Sequence, residues 1–434
     1  MKRRFSFLFI LTLIALIFFF ILRDSPRPPF AALTPLGENP QWEQLEKFQN
    51  SITKTEFQNL LEKVYTQDQI YQKYIKIFPT HAMIHTNSSD MQKSFRLNFS
   101  QEKNTKQNSN SRSSFGYWRK NPIQNSNPQL PLKGLRIAID PGHIGGNYAK
   151  IEERWFQVDK TPPIKEGELT LTVAKILAEK LQDKGAEVFL VRTQTAPVTQ
   201  VKPESFREVA QKWFNDRGRK NITETYRDPH DPDRGNSLQW RQEVLTYRNQ
   251  EIRDRAKLIN EKIMPDITLC IHFDAEYWGN PNNPILSNKN YTHVIINGSY
   301  MPEELHYNDV RFEMLFKLLS RTHSIEKKLG HTIAKSLAAS TQLPATNYYL
   351  AGHQAKAMSK DSYLWARNLL ANRLYQNPVI FLEAFVMNNP EVIARIHQGD
   401  YKGFKKVYGK MRKSIFREYA DGIVNGLIKY YSDS

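Results

Sequence analysis

Residues 135–143 read LRIAIDPGH, residues 165–185 read KEGELTLTVAKILAEKLQDKG, and residues 186–192 read AEVFLVR. The first and last contain short apolar runs of the kind that form strands buried in a sheet. Between them Leu169, Val173, Ile176, Leu177 and Leu181 recur at helical spacing, which predicts an amphipathic helix over residues 168–184. Gly185 stands where such a helix needs a residue free to take positive φ.

The alternation continues downstream. DITLCIHF, THVIINGSY and NPVIFLEAF read as further strands, and residues 238–264, 311–340 and 401–431 as long helical stretches. Strands and helices alternating in this way predict an α/β fold, with a mixed, largely parallel sheet flanked by helices on both faces. No internal repeat is apparent.

With 434 residues, of which 40% are hydrophobic, the chain is long enough for one large α/β domain and a smaller piece. Its one long apolar run, FSFLFILTLIALIFFFIL over residues 5–22, is about the minimum for a single membrane span. Lys2, Arg3 and Arg4 precede it, so the rest of the chain is expected outside the cytoplasm, periplasmic or otherwise extracytoplasmic. Small residues at a cleavage spacing are missing just after the run, which favours a retained inner-membrane anchor over a removed signal. A multi-span membrane protein is excluded. Cys270 is the only cysteine, so neither an internal disulfide nor a thiol metal cluster is possible. The net charge of +17 favours anionic surfaces. An outside location argues against nucleic acid.

Four regions follow: an anchor or signal segment (1–30), a small α+β module (36–101), a polar linker (102–132) and a catalytic domain (133–434). In the second, Phe57, Leu60, Leu61 and Val64 fall at helical spacing and two strand-like runs follow, so it reads as a folded spacer of unassigned role. The third is rich in Asn, Ser, Gln and Pro and lacks the apolar surface to fold alone.

Sites in α/β sheets collect at strand ends. His143 follows LRIAID by three residues, while His272 in CIHFD and Glu383 in PVIFLEAF sit late in their strands. A carboxylate just before the first helix completes the set, with Glu166 and Glu168 competing and Glu152 and Glu153 as weaker rivals. Two histidines and one carboxylate leave a tetrahedral metal one open position, and a second carboxylate can take a proton from water held there. Zn2+ is the expected cofactor. Asp140 reads as a residue that fixes the turn or orients a ligand, and Asp274 as a partner on the strand face of His272. Glu383 would be costly to bury alone, and Arg367 is the residue that would neutralise it if its role were purely structural.

DPGH, KEGELTL, CIHFD and PVIFLEAF, in this order, resemble the zinc-dependent N-acetylmuramoyl-L-alanine amidases of the bacterial cell wall, from roughly Leu132 to the C-terminus. The resemblance implies His143, Glu166 and His272 as metal ligands and Glu383 as the catalytic residue. It leaves Glu168 as a helix-start residue. It also implies peptidoglycan as substrate, cut between N-acetylmuramic acid and L-alanine; a regulatory protein partner is expected only through the stretch 194–249, as the agent that, like substrate, would displace it from the cleft. The alternatives are another cell-wall zinc peptidase and a catalytically silent peptidoglycan-binding or activator protein of the same fold.

The chain departs from the family pattern at four places: Ile144 is inserted after DPGH, Cys270 and Asp274 replace a serine and an asparagine around His272, and Phe385 replaces a glycine two residues beyond Glu383. Residues 194–249, which include RDPHDPDRGNS, are expected as a surface insertion that borders or covers the cleft.

Overall fold

The computed structural model describes residues 32–67, 69–101, 127–228, 231–348 and 355–432. The apolar run of residues 5–22 and most of the expected linker lie outside them. Among the described residues no helix is long and apolar enough to cross a membrane.

The strands are β1 (Ile75–Ile77), β2 (His81–His85), β3 (Ser94–Asn98), β4 (Arg136–Pro141), β5 (Trp155–Phe156), β6 (Ile164–Lys165), β7 (Glu187–Leu190), β8 (Ile267–Asp274), β9 (Thr292–Ile296), β10 (Lys356–Ala357), β11 (Leu364–Ala366), β12 (Val379–Val386), β13 (Lys405–Val407) and β14 (Lys410–Arg412). Five helices matter most: α1 (Lys54–Leu60), α2 (Glu166–Gln182), α3 (Asn308–Leu319), α4 (Thr322–Thr341) and α5 (Ile415–Ser432).

The central sheet runs β10-β11-β9-β12-β8-β4-β7. β7, β4, β8 and β12 are parallel. β9 pairs antiparallel with β12, β11 parallel with β9, and β10 antiparallel with β11. The sheet is therefore mixed, with a parallel half that carries the site.

Side-chain alternation gives each strand two buried faces. On one, Ile137, Ile139, Leu269, Ile271, Ile380 and Leu382 pack with Val173 and Leu177 of α2, Ile333 and Leu337 of α4, and Tyr419 and Ile423 of α5. On the other, Ala138, Cys270, Ile295 and Phe381 pack with Ala256, Ile259 and Ile263 of the helical run 238–263 and with Tyr375. Cys270 is fully buried. The fold begins slightly before residue 133, since Leu132 is buried and its N–H donates to Lys184 O.

Three expectations change. The stretch 311–340 is two helices, α3 and α4, separated where Arg321 takes φ +58. The stretch 401–431 is helical only from Ile415, because β13 and β14 form a hairpin whose turn residues Tyr408 and Gly409 have φ +50 and +78. A lysine every few residues imitates the polar face of a helix, and the Tyr-Gly turn breaks it.

The third concerns the module at 36–101. It contains a three-stranded antiparallel sheet, β1-β2-β3, and α1, as an α+β unit should. It is not a free-standing spacer. Phe48, Phe57, Leu61, Tyr65 and Leu97 share one hydrophobic core with Met314, Leu315, Phe316 and Leu318 of α3, and Arg321 donates to both oxygens of Glu56 at 2.7 and 2.8 Å.

Candidate metal centre

Three separate segments converge at the C-terminal ends of β4 and β8. After Pro141 the chain turns through Gly142, which lies against the His272 ring: a Cβ there would stand 2.2 Å from Cε1, so no other residue fits without displacing the imidazole. His143 follows with φ +57, a conformation that disfavours a non-glycine residue by about 1–2 kcal/mol. Arg255 holds the turn, donating to Asp140 Oδ1 at 2.9 Å, Pro141 O at 2.9 Å and His143 O at 3.1 Å.

Glu166 opens α2 and places its carboxylate between the two imidazoles. Oε2 is 3.2 Å from His143 Nε2, and Oε1 is 3.1 Å from His272 Nδ1. The Phe273 N–H donates to Oε1 at 3.2 Å, and Arg154 Nε lies 3.5 Å from Oε2. Glu168, the competing acid, instead accepts from Gly146 N–H at 3.3 Å and from Lys165 Nζ at 3.1 Å. Glu152 sits on the far side of the His143 ring, 3.3 Å from Nδ1, and accepts the Ile144 N–H at 2.8 Å. Glu153 pairs outward with Arg234 and Arg248.

Ligand atoms from His143, Glu166 and His272 lie within 4.8 Å of one another. Burial pushes the His143 imidazole well below its usual range, so it is neutral and its ring nitrogen is available as a ligand. Burial works against ionising Glu166, but the hydrogen bond from the His272 ring and the nearby Arg154 guanidinium favour its charged form, and the acid stays below the usual carboxylate range.

Glu383 comes from β12, opposite His272 on β8 and opposite His293 on β9. The alternation that points His272 to this face points Asp274 there too. Oε2 of Glu383 is buried and has no hydrogen-bond partner among the described residues. Burial, then repulsion from Asp274 and Glu166, pushes its carboxyl well above the ordinary range. Asp274 accepts the Ala275 N–H at 2.6 Å and lies 3.7 Å from His293 Nδ1, and burial lifts it to about 7.

Asp140 does not orient the His143 ring: its oxygens are taken by Arg255 and, at 2.6 Å, by the Tyr375 hydroxyl. It fixes the turn, and Glu152 holds the ring. Arg367 forms no ion pair with Glu383 among the described residues; it lies against Tyr348, 6.0 Å from that ring's centroid. His293, with Nε2 2.7 Å from the Tyr348 hydroxyl, also faces the row containing Glu383. Arg255 was missed on the sequence, although it falls on the apolar side of the run 238–263 beside Ala256 and Ile259, an unusual place for a guanidinium.

The insertion 194–249 borders this region. Arg248 donates to Ile151 O at 2.7 Å, and the Tyr247 and Tyr148 rings are 4.9 Å apart, so it packs on the loop that carries Glu152.

Two imidazoles and one carboxylate are a donor set for a divalent metal that keeps a position open. The orphaned Glu383 oxygen fits such a centre, because a buried acid without a hydrogen-bond partner is otherwise disfavoured.

The sequence matches the family described as N-acetylmuramoyl-L-alanine amidase over residues 137–415, more than half of its 434 residues. The chain belongs to that family. It is an enzyme of this class, a peptidoglycan amidase. Among solved structures, the CwlD amidase from Clostridioides difficile, in complex with the GerS lipoprotein, is similar at TM-score 0.39 and 13% identity over 69% of this chain and 98% of that one. Ami1 from Mycobacterium smegmatis gives 0.36 and 16% over 70% and 99%. The catalytic domain of CwlV from Bacillus (Paenibacillus) polymyxa gives 0.35 and 14% over 69% and 98%. No curated protein matches the chain.

Proposed function

We propose that this amidase is a zinc enzyme that hydrolyses the amide joining the lactyl group of N-acetylmuramic acid to L-alanine of the stem peptide, with Glu383 as its acid–base residue. The observation that carries the reading is the meeting of His143, Glu166 and His272 within 4.8 Å, with a buried Glu383 oxygen on the same sheet face that has no hydrogen-bond partner among the described residues. A zinc ion held by these three side chains would supply a Lewis acid for the amide carbonyl and lower the pKa of water.

The protein's own groups do the rest. Glu152 anchors the His143 ring through Nδ1 and leaves Nε2 facing Glu166. Glu383 accepts the proton of the attacking water and returns it to the departing amine nitrogen, so one carboxylate serves as base and then as acid. Its raised pKa suits the second task. Asp274 shares this row and is the candidate to orient the substrate, while the buried His293, 3.7 Å from its carboxylate, supports it from behind.

The catalytic body works outside the cytoplasm on peptidoglycan, held near the inner membrane by residues 5–22. This placement rests on the basic residues ahead of the apolar run.

Glu383→Ala should abolish release of peptide from purified peptidoglycan while zinc content stays at one equivalent per chain. Mass analysis of the wild-type digest should show glycan free of peptide. Cleavage within the stem peptide, or undiminished release by the variant, would overturn the assignment.

A further inference from the structure

Residues 401–413 read YKGFKKVYGKMRK, with six basic side chains and no acid. They form the β13–β14 hairpin, pinned to the body by buried Tyr401 and Val407. The Tyr401 hydroxyl donates to Arg412 O at 3.0 Å. Phe404, Tyr408 and Met411 are 61%, 60% and 63% exposed, far more than isolated surface apolar groups require when they fall in one short hairpin. Lys406 and Met411 are cross-strand partners on the face opposite Val407, so cation and apolar tip stand side by side.

The acids around the hairpin are already neutralised. Glu391 pairs with Arg412, Asp400 with Arg417, Glu418 with Arg395, and Asp421 with Lys180 and Lys413. Lys402, Lys405, Lys406 and Lys410 form no ion pair among the described residues, although Lys405 also lies over the Tyr401 ring. The hairpin therefore presents uncompensated ammonium groups beside apolar tips.

Its position is set by α5. Tyr419, one turn into that helix, donates to His272 O at 2.9 Å, which places the helix start, and the hairpin just before it, at the end of the sheet where the metal centre lies. The loop after β8 adds Tyr277, Ile285 and Leu286, exposed by 84%, 60% and 43%. Asn388, just beyond β12, donates to Ile285 O at 2.9 Å, so this loop shares the same rim.

We propose that this rim, led by the β13–β14 hairpin, docks on the surface of an anionic lipid bilayer. Ammonium groups meet the headgroup anions while Phe404, Tyr408 and Met411 enter the boundary with the acyl chains. Each lysine close to such a surface is worth about fivefold in binding. Wall polymer also carries carboxylates, but it offers no apolar depth to take up the exposed Phe404 and Met411 tips. The nine-residue step from Arg23 to Ala32 spans at most about 30 Å, so an anchored chain keeps the hairpin's parent body within reach of the bilayer. Docking does not itself require that anchor. It holds the metal centre close to the membrane surface.

The test uses the full chain in vesicles of phosphatidylcholine alone or with about one third phosphatidylglycerol, a composition that supplies the surface charge docking requires. Tyr408→Cys carries an environment-sensitive dye, which Cys270 does not compete for because it is buried. Docking predicts several-fold stronger quenching by spin-labelled lipid on the anionic vesicles, lost at about 0.5 M salt, where surface charge is screened. The triple change Lys405→Glu, Lys406→Glu, Lys410→Glu should bring quenching to the phosphatidylcholine level while the circular dichroism spectrum and hydrolysis of soluble fragments persist. Equal quenching on both compositions, an undiminished triple variant, or a dye response to isolated peptidoglycan in place of lipid would each overturn it. None of these outcomes depends on which bond the enzyme cuts.

Discussion

Glu152 holds His143 from behind: its Oε1 lies 3.3 Å from Nδ1, while Oε2 accepts the Ile144 N–H at 2.8 Å and the Gly145 N–H at 3.3 Å. One buried carboxylate thus sets both the ring and the backbone that carries it. Acceptors in this position typically contribute about 10–100-fold to metal affinity. Glu152→Ala should lower affinity for zinc by that factor, measured by competition with a chromogenic chelator, with secondary structure retained. Unchanged affinity would show that Glu152 serves the loop alone.

Arg255 offers a different kind of prediction. Burial opposes its charge, but Asp140 and Glu251 more than restore it, with contacts at 2.9 and 2.8 Å. Arg255→Met would leave two carboxylates buried without their cation and release the carbonyls of Pro141 and His143. A loss of about 3–5 kcal/mol is expected in the denaturant midpoint analysis. Arg255→Lys should recover only part of it, since a single ammonium cannot span Asp140, Glu251 and two carbonyls.

The apolar periods of residues 135–192 and the strands around His272 and Glu383 were legible because burial on both faces leaves long apolar runs. The direction of β9 was not, since β9 reads as apolar whichever way it runs. Nor was the division of labour among Asp140, Glu152 and Glu166. All three are acids near a turn, and only the path of residues 144–165 decides which meets Nδ1, which meets Nε2 and which meets Arg255. The module at 36–101 was readable as α+β, but its core is completed by side chains more than two hundred residues away in α3, a pairing without a local signature.

Phe385 makes the departure from glycine measurable. It has φ +66 and is fully buried, against the rings of Phe273 and Tyr419. The left-handed backbone disfavours it by about 1–2 kcal/mol, whereas truncating a buried phenylalanine costs about 3–5 kcal/mol. Phe385→Gly should therefore destabilise, yet by less than Phe385→Ala, which loses the same ring and keeps the strained conformation. Within a strand alanine ordinarily exceeds glycine. Finding that order here in thermal unfolding would refute the strain.

His323 reports on the junction between the module at 36–101 and the catalytic body, because its buried ring lies 6.5 Å from that of Tyr65. Burial, assisted by Lys327, lowers its pKa to about 4. In the unfolded chain it titrates near 6.5, so between about pH 6.5 and 4 the unfolded state binds the extra proton. Its contribution is intact above pH 6.5 and is lost as pH falls through that window, by about 3 kcal/mol in all. Asp274 and Glu383 also titrate above the ordinary carboxylate range, so the quantity to follow is the difference between wild type and His323→Gln across a pH series of urea unfolding curves. The variant, unable to take up that proton, should lose less stability on acidification. Parallel curves would mean that His323 is solvated in the folded protein and that the shared core is looser than its packing indicates.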